Sequence, residues 1–254
     1  MTQRALSGRT IVVLGAGGGL GRSVTERLRD DGASVVAADA KIPDAAGRQD
    51  QVEYLSVDAL DEASVAAAFA SVPTTAAAGA PVAAGAAGAP VAAGAAGAPV
   101  AAVVNLIGGY TPPQALNLLD IDVLRRQLEL NLLTAAIITK YAMPMLAAAG
   151  GGALVHVSSR VAVQTGENGF AYSVSKLGVV RLVEAAAAEG REDGVRVNCI
   201  LPSIIDTPVN RAALPHADFD KWPKPSQLAA VLSFLVSDDA ALISGAAIPV
   251  YGRV

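Results

Sequence analysis

Residues 10–21 read TIVVLGAGGGLG and contain the pattern that decides the fold. The first five residues predict a buried strand, and the glycines after them predict a tight turn before a helix that begins near Leu20. Glycine lets the backbone approach a ligand closely, and free N–H groups at a helix N-terminus attract anions. The segment therefore predicts a strand, a turn and a helix that together cradle a phosphate group.

The glycine spacing fits GxxxGxG rather than GxGxxG, and a tight turn without a ligand is the alternative interpretation. The next strand ends in Asp39, whose carboxylate is placed to bind an adenosine ribose and to repel a 2′-phosphate. This favours NAD(H) as the cofactor, with NADP(H) as the alternative because Lys41 and Arg22 are close in sequence. A purely local turn role for Asp39 also stays open. The predicted cradle comprises Gly15, Gly17, Gly18, Gly19, Leu20 and Gly21.

Short β-branched runs alternate with longer amphipathic stretches along the rest of the chain, a pattern typical of βαβ units. The sequence therefore predicts an α/β fold, a Rossmann-type doubly wound parallel sheet of about seven strands with helices on both faces, in a single domain, 1–254. The predicted strands are 10–14, 34–38, 52–57, 102–107, 153–158, 195–201 and 246–250. The predicted helices are 20–31, 62–71, 123–149, 168–190 and 226–237.

Composition excludes several classes of function. The 254 residues carry a net charge of −4 and no basic run, which argues against nucleic-acid binding. A single cysteine, Cys199, and two distant histidines, His156 and His216, argue against a metal site or an internal disulfide. We expect a cytoplasmic protein, since the N-terminal residues contain no apolar signal segment.

Residues 73–101 form an Ala/Gly/Pro-rich insertion with the nine-residue repeat GAPVAAGAA, which starts at Gly79, Gly88 and Gly97. Ala and Gly carry little transfer energy and the prolines interrupt a helix, so we expect a flexible surface loop rather than a membrane segment. It precedes the fourth strand, away from the strand ends that bind cofactor, and we expect it to leave the chemistry untouched.

Tyr172 and Lys176 stand four apart in AYSVSKLG, so they share one face of a helix. A lysine beside a phenol favours the phenolate, which predicts a lowered tyrosine pKa and a general acid/base pair. Ser159 lies thirteen residues earlier, at the carboxyl end of the strand ALVHVSS, where its hydroxyl can hold the reacting oxygen. Ser158 points the other way by strand alternation, so only one of the two can serve. Asn131, a polar residue in LELNLLTAA, has either a functional role or a structural bond to a helix carbonyl.

These elements resemble the short-chain dehydrogenase/reductase family, in family order from Thr10 to Gly252. The resemblance implies that Tyr172 is the acid/base, Lys176 binds the nicotinamide ribose, Ser159 positions the substrate oxygen and Asn131 holds a water in a proton relay. It also implies further cofactor contacts. Asp58 would contact adenine, unless it only caps the following helix, and Ile205 and Thr207 would hold the nicotinamide carboxamide. The full set of these additional contacts is Asp58, Ala59, Asn105, Gly108, Pro202, Ile205 and Thr207.

The chain departs from the family pattern at a few positions, such as Ser203 where glycine is usual. Residues 204–225 look like a substrate lid, and together with Gly108, Gly109 and Tyr110 they are similar to dihydropteridine reductases of the same family. Ser159 argues against that activity, so reduction of a quinonoid pterin is the alternative to carbonyl and alcohol chemistry. The candidate substrate contacts are Tyr110, Arg160, Gln164 and Arg211, each of which can instead be a solvated loop residue.

The leading hypothesis is an NAD(P)-dependent oxidoreductase that moves a hydride between nicotinamide and a small carbonyl or secondary alcohol. A regulator that senses dinucleotides without turnover is a further alternative. Sensing does not require the catalytic residues, so their presence argues against it. The resemblance implies a homo-oligomer, a tetramer or a dimer, packed through the helices at 123–149 and 168–190.

Overall fold

The computed structural model describes residues 5–44, 47–72 and 99–254, and this part of the chain contains seven strands and seven α-helices. The strands are β1 (Thr10–Leu14), β2 (Ser34–Asp39), β3 (Val52–Ser56), β4 (Val100–Asn105), β5 (Gly152–Val157), β6 (Val195–Pro202) and β7 (Ala247–Val250). The helices are α1 (Gly21–Asp30), α2 (Glu62–Ser71), α3 (Ile121–Gln127), α4 (Thr134–Ala148), α5 (Phe170–Glu189), α6 (Pro208–Ala213) and α7 (Pro225–Val236).

All seven strands pair in parallel in one sheet of order β3-β2-β1-β4-β5-β6-β7. The chain first adds strands on one side of β1 and then on the other, so the order reverses between β1 and β4. Ligands of such sheets bind at this point, outside the carboxyl ends of the strands. The observed sheet confirms the predicted Rossmann-type doubly wound α/β fold.

Helices cover both faces of the sheet, and each face has its own hydrophobic core. On one face α2, α4 and α5 contribute buried residues such as Phe69, Ile138 and Val183. On the other face α1 and α7 contribute Leu28 and Leu232, among others. Because both faces are covered, the central strands are mostly apolar, as the fully buried β1 shows.

The helix predicted at 123–149 is longer and less regular than expected. It begins with α3 at Ile121, passes through a π-helical segment, Leu128–Leu133, and ends with α4 at Ala148. The stretch Ile121–Ala148 is long and apolar enough to cross a membrane by length and composition alone. Its buried residues, such as Ile138 and Leu146, pack in the hydrophobic core, as in the core helices of other folded domains.

Other element bounds differ by one or two residues from prediction. Helix α5 begins at Phe170 rather than at 168, because Asn168 has a positive φ of 60° that a helix does not accept. Strand β4 begins at Val100 rather than at 102, because Thr10 of β1 pairs with Val100 and extends the ladder. The end of the predicted insertion, 99–101, therefore leads into the sheet, whereas 73–98 lies outside the described residues.

Candidate active site

The carboxyl ends of β4, β5 and β6 bring the predicted catalytic residues to one edge of the sheet. Ser159 follows β5 directly, and Tyr172 and Lys176 lie in the first turns of α5, the helix that packs against β6. Asn131 comes from the π-helical segment, which also packs against α5. Four residues spread over 46 positions of sequence therefore share one site.

The two adjacent serines after β5 have different partners. The Ser158 hydroxyl donates to the carbonyl of Lys176 at 2.8 Å and thereby ties β5 to α5. Ser159 lies instead beside Tyr172, with which it shares a side-chain hydrogen bond. Its Oγ also accepts a long bond, 3.4 Å, from the Val161 amide. The structure thus brings Ser159, and not Ser158, to the phenol.

Burial raises the pKa of Tyr172, the hydrogen bond from Ser159 lowers it in part, and the neighbouring Tyr110 adds to the rise. The predicted lowering by Lys176 is therefore not found in this structure. The reason is geometric: Nζ of Lys176 lies 6.0 Å from the Tyr172 ring centroid and donates to the Val157 carbonyl at 3.0 Å. The ammonium group is directed at the backbone rather than at the phenol oxygen.

Lys176 is itself almost fully buried, and burial lowers its pKa to about 8. Its side chain lies close enough to His156 and Cys199 to affect both groups. A lysine whose ammonium is desolvated in this way exchanges a proton near neutral pH. The position suits a residue that stabilises an oxyanion and passes on a proton.

Both the oxygen and the nitrogen of the Asn131 side-chain amide make hydrogen bonds. Its Oδ1 accepts from the Gly109 amide at 3.0 Å, and its Nδ2 donates to the Gly109 carbonyl at 3.0 Å. Nδ2 also lies 3.3 Å from Oε1 of Gln127 and 3.2 Å from Oγ of Ser175. The structural alternative for Asn131, a bond to a carbonyl, is thus present, but the carbonyl belongs to the loop after β4. Sequence periodicity gave no signal for the π-helical turn that makes this reach.

Gly108 lies where a side chain has no room. A Cβ at this position would stand 2.7 Å from both Oδ1 of Asn131 and Nζ of Lys176. Real Cβ atoms essentially never come that close, so the loop after β4 requires glycine here. The three groups therefore pack as one unit around the Gly108 backbone.

The glycine turn after β1 has the shape of a cradle. Gly15 adopts a φ of 78°, and a Cβ on Gly21 would lie 2.4 Å from the Ala16 carbonyl oxygen. A Cβ on Gly19 would stand 3.0 Å from Cγ2 of Thr207, so this turn and the loop after β6 face each other. Gly17, Gly18 and Leu20 complete the turn, and the exposed backbone at the start of α1 fits the pyrophosphate of a dinucleotide.

Asp39 lies beside this cradle. Its carboxylate accepts from the Gly17 amide at 2.9 Å and from the Lys41 amide at 3.1 Å. Asp39 therefore stabilises the local turn. Each carboxylate oxygen still has a second lone pair that can accept from a ribose hydroxyl. Asp58 accepts from the Leu60 amide at 3.0 Å, which is a local cap, and Ala59 is buried.

A buried chain of hydrogen bonds lies near the point where the strand order reverses. The sequence analysis did not predict it. Oδ1 of Asn105 accepts from the Ile107 amide at 3.0 Å, so its Nδ2 faces and donates to Nδ1 of His156 at 3.1 Å. His156 then donates from Nε2 to Oγ of Thr139 at 3.1 Å, and this hydroxyl donates to the Ala135 carbonyl. Burial lowers the pKa of His156 to about 3, so this histidine is a neutral structural group.

Pro202 is the last residue of β6 and pairs with Val250 of β7, so the loop begins at Ser203. Ser203 does not have a positive φ, and its hydroxyl donates to the Tyr251 carbonyl at 2.6 Å, so serine replaces glycine without backbone strain. The Ile205 carbonyl accepts from the Thr207 amide at 2.9 Å. Thr207 also caps α6, which lies inside the segment predicted as a lid.

Asp206 ties segment 204–225 together. Its nearly buried carboxylate accepts from Arg211 at 2.5 Å and from Nζ of Lys224 at 2.6 Å. These bonds hold the pKa of Asp206 far below its usual range. Arg211, proposed from sequence as a substrate contact, is thus paired, and its guanidinium lies 4.7 Å from the Phe219 ring centroid.

A cavity of about 190 Å³ opens beside Tyr172. Tyr110 lines it, in edge-to-face contact with Tyr172 at a centroid distance of 5.1 Å, and apolar groups such as Pro113, Val123 and Val161 form much of the wall. Arg160 and Gln164 bond to each other and do not line it; Arg160 also donates to the Val254 carbonyl and stacks on Tyr251. Of the four proposed substrate contacts, the structure brings only Tyr110 to this cavity.

No group of three or more His, Cys, Asp or Glu side chains within 5–44, 47–72 and 99–254 is arranged to hold a metal ion.

Comparisons with known proteins agree with this geometry. The family model for short chain dehydrogenases matches residues 9–218. A cis-4-hydroxycyclohexanecarboxylate dehydrogenase from Sinomonas cyclohexanicum is 31% identical over 98% of this chain and 97% of its own. A 7alpha-hydroxysteroid dehydrogenase from Bacteroides fragilis is 26% identical over 96% of this chain and 93% of its own.

A solved short-chain type dehydrogenase/reductase from Mycobacterium ulcerans superposes with a TM-score of 0.81 at 27% identity, covering 98% of this chain and 90% of that one. The family model spans most of the chain, and the solved structure has the same fold throughout. The chain therefore belongs to the short-chain dehydrogenase/reductase family, oxidoreductases that act on hydroxyl and keto groups.

Proposed function

We propose that the protein is an NAD(H)-preferring dehydrogenase of a small secondary alcohol, or reductase of the matching ketone, with Tyr172 as general acid/base. The observation that carries this proposal is the Tyr172 phenol, bonded to Ser159 and open to an apolar cavity, with Lys176 one helical turn further on. Relatives named for alcohols on a cyclohexane and on a steroid ring support a ring alcohol as the substrate class.

The residues divide the work. Ser159 holds the substrate oxygen against Tyr172, which takes the hydroxyl proton on oxidation and returns it on reduction. Lys176 would bind the nicotinamide ribose and keeps a cation near the phenol, with Nζ 6.0 Å from the ring centroid. Asn131 fixes the loop after β4 on which Gly108 lies. The nicotinamide, when bound, accepts or supplies the hydride.

The glycine turn would hold the cofactor pyrophosphate, and Asp39 would bind the adenosine ribose and disfavour a 2′-phosphate. Further cofactor contacts are proposed at Asp58, Ala59, Asn105, Gly108, Pro202, Ile205 and Thr207. Asn105 is buried, and its side-chain amide is already bonded to the Ile107 amide and to His156.

The test is titration with NADH and NADPH by fluorescence, followed by turnover assays with cyclic secondary alcohols, ketones and a quinonoid dihydropterin. We expect tighter NADH binding and alcohol or ketone turnover, which Tyr172→Phe reduces by roughly 10²- to 10⁴-fold while cofactor binding persists. Turnover of the pterin alone, or unchanged turnover in the Tyr172 variant, would overturn the proposal.

We further propose a cytoplasmic homo-oligomer, a tetramer or a dimer, packed through the helical stretch Ile121–Ala148 and α5. Partly exposed apolar side chains on these helices, such as Leu133 and Leu177, support it. Light scattering coupled to gel filtration measures the mass, and a monomer at micromolar concentration would contradict it.

A further inference from the structure

The cavity beside Tyr172 has a size that limits the substrate. Its volume is about 190 Å³, compared with ~150 Å³ for an engineered protein cavity that holds benzene. Sites for drug-sized ligands usually measure about 300–1,000 Å³. One six-membered ring therefore fills this volume beside the phenol, and the further rings of a fused system would lie outside it.

The cavity also has an uneven charge. Of the described residues that line it, Glu167 alone carries a charge, and its carboxylate makes no ion pair or side-chain hydrogen bond with the described part of the chain. No cation is among the described residues that line the cavity: Arg160 binds Gln164 and the Val254 carbonyl, Arg211 binds Asp206, and Nζ of Lys176 donates to the Val157 carbonyl. Glu167 is exposed, so a negative charge on a substrate in this cavity would lie near a carboxylate that is partly solvated.

The backbone holds Glu167 in this place. The next residue, Asn168, adopts a φ of 60°, a conformation that asparagine tolerates better than most residues. Its carbonyl accepts from the Gln114 amide at 3.0 Å, which ties this turn to the loop that forms the opposite wall of the cavity. The position of Glu167 is thus built into the turn before α5.

We infer that the site takes a single-ring secondary alcohol or ketone that is neutral or cationic, and that Glu167 is the specificity-determining residue that excludes carboxylates. This rests on the proposed function, because the cavity becomes a substrate site only if Tyr172 is the acid/base. The reaction itself is unchanged: in the oxidation, the Tyr172 phenolate would take the O–H proton, and a bound NAD⁺ would supply the hydride acceptor.

The test uses three alcohols of nearly equal shape: 4-hydroxycyclohexanecarboxamide, 4-hydroxycyclohexanecarboxylate and 4-(aminomethyl)cyclohexanol. With NAD⁺ in excess, we expect the kcat/KM of the carboxamide to exceed that of the carboxylate by roughly three- to tenfold, as expected for like charges across a partly solvated cavity. The amine is expected to match or exceed the carboxamide. In 1 M salt the difference shrinks, because the Debye length falls to about 3 Å.

Two variants of Glu167 test whether its charge causes the difference in kcat/KM. Glu167→Gln keeps the shape and should bring the carboxylate level with the carboxamide, and Glu167→Lys should reverse the order. Glu189→Gln, which removes an exposed carboxylate at the far end of α5, should leave the ratio unchanged. Equal or faster turnover of the carboxylate by the wild type, or an unchanged ratio in Glu167→Gln, would overturn the inference.

A binding measurement separates this inference from the proposed function. The Kd of cyclohexanecarboxamide and cyclohexanecarboxylate, which cannot react, is measured by NMR titration in the wild type and in Glu167→Gln. Charge discrimination that disappears in the variant supports the inference even if no alcohol is turned over, and in that case the proposed function alone fails. Turnover without charge discrimination in binding or rate overturns the inference and leaves the proposed function intact.

Discussion

The catalytic cluster and segment 204–225 lie at the same edge of the sheet but are held by different forces. In the cluster, Lys176 and Asn131 are buried and bond to backbone groups of Val157 and Gly109. In the segment, Asp206 is held by Arg211 and Lys224, whose side chains are 49% and 35% exposed. Buried bonds to the backbone fix a geometry within a small range, whereas exposed ion pairs add little stability and exchange readily with water. The comparison shows that buried hydrogen bonds to the backbone position the reacting groups, whereas side-chain ion pairs hold segment 204–225.

The largest effect is expected from breaking the cluster at Lys176. Lys176→Met keeps the length and apolar stem of the side chain, and turnover should fall on the order of 10³-fold because the phenolate loses its cation. Steady-state rates with the best alcohol measure this, and near wild-type turnover would contradict the role given to the lysine.

The same variant should be more stable. Because burial lowers the pKa of Lys176 to about 8, the folded state binds the proton less tightly than the unfolded chain, whose lysine titrates near 10.4. This difference costs stability at and below pH 8 and disappears as the pH rises to about 10. We expect Lys176→Met to raise Tm by a few degrees at pH 7 and by less at pH 10, measured by calorimetry.

Gly108→Ala tests how tightly the cluster is packed. Its Cβ would push against Oδ1 of Asn131 and Nζ of Lys176, and displacing reacting groups by about 1 Å costs on the order of a hundredfold in rate. Wild-type turnover in this variant would show that the cluster tolerates movement.

Asp39 combines features of both regions, because its half-exposed carboxylate bonds to backbone amides. Asp39→Asn keeps an acceptor for Gly17 but removes the charge, and we expect the ratio of NADH to NADPH affinity to fall about tenfold. Asp39→Ala should also weaken binding of both cofactors, because the glycine turn loses its support. Fluorescence titration decides, and an unchanged ratio in the asparagine variant would count against the ribose role.

The smallest effect is expected in segment 204–225. Asp206→Asn should change kcat/KM by no more than about fivefold and speed hydrogen exchange within the segment. Because Arg211 and Lys224 lower the Asp206 pKa, the ion pairs contribute fully above pH 4 and are lost only in stronger acid. The variant should therefore lower Tm at pH 7 and lower it by less at pH 2. A large loss of turnover at pH 7 would mean that this segment belongs to the catalytic cluster.

Local signals made most of the fold and part of the site predictable. The glycine turn, the alternating strands and helices and the spacing of Tyr172 and Lys176 each depend on neighbours within a few residues, so their physics is visible in the sequence. The direction of the Tyr172 pKa could not be predicted that way. It depends on burial and on where Nζ of Lys176 finds its acceptor, and that acceptor is a carbonyl on another strand.

The sequence by itself determined the class of fold, the phosphate cradle and the catalytic residue types, because backbone conformation and helical spacing follow from local chemistry. Only the tertiary structure decided that Ser158 bonds to the Lys176 carbonyl, and that Gly108 is confined between Asn131 and Lys176. It also decided that Arg160 and Arg211 are engaged away from the cavity while Glu167 lines it. Partners that are distant in the chain compete for the same donors and acceptors, and only folding settles which of them meet.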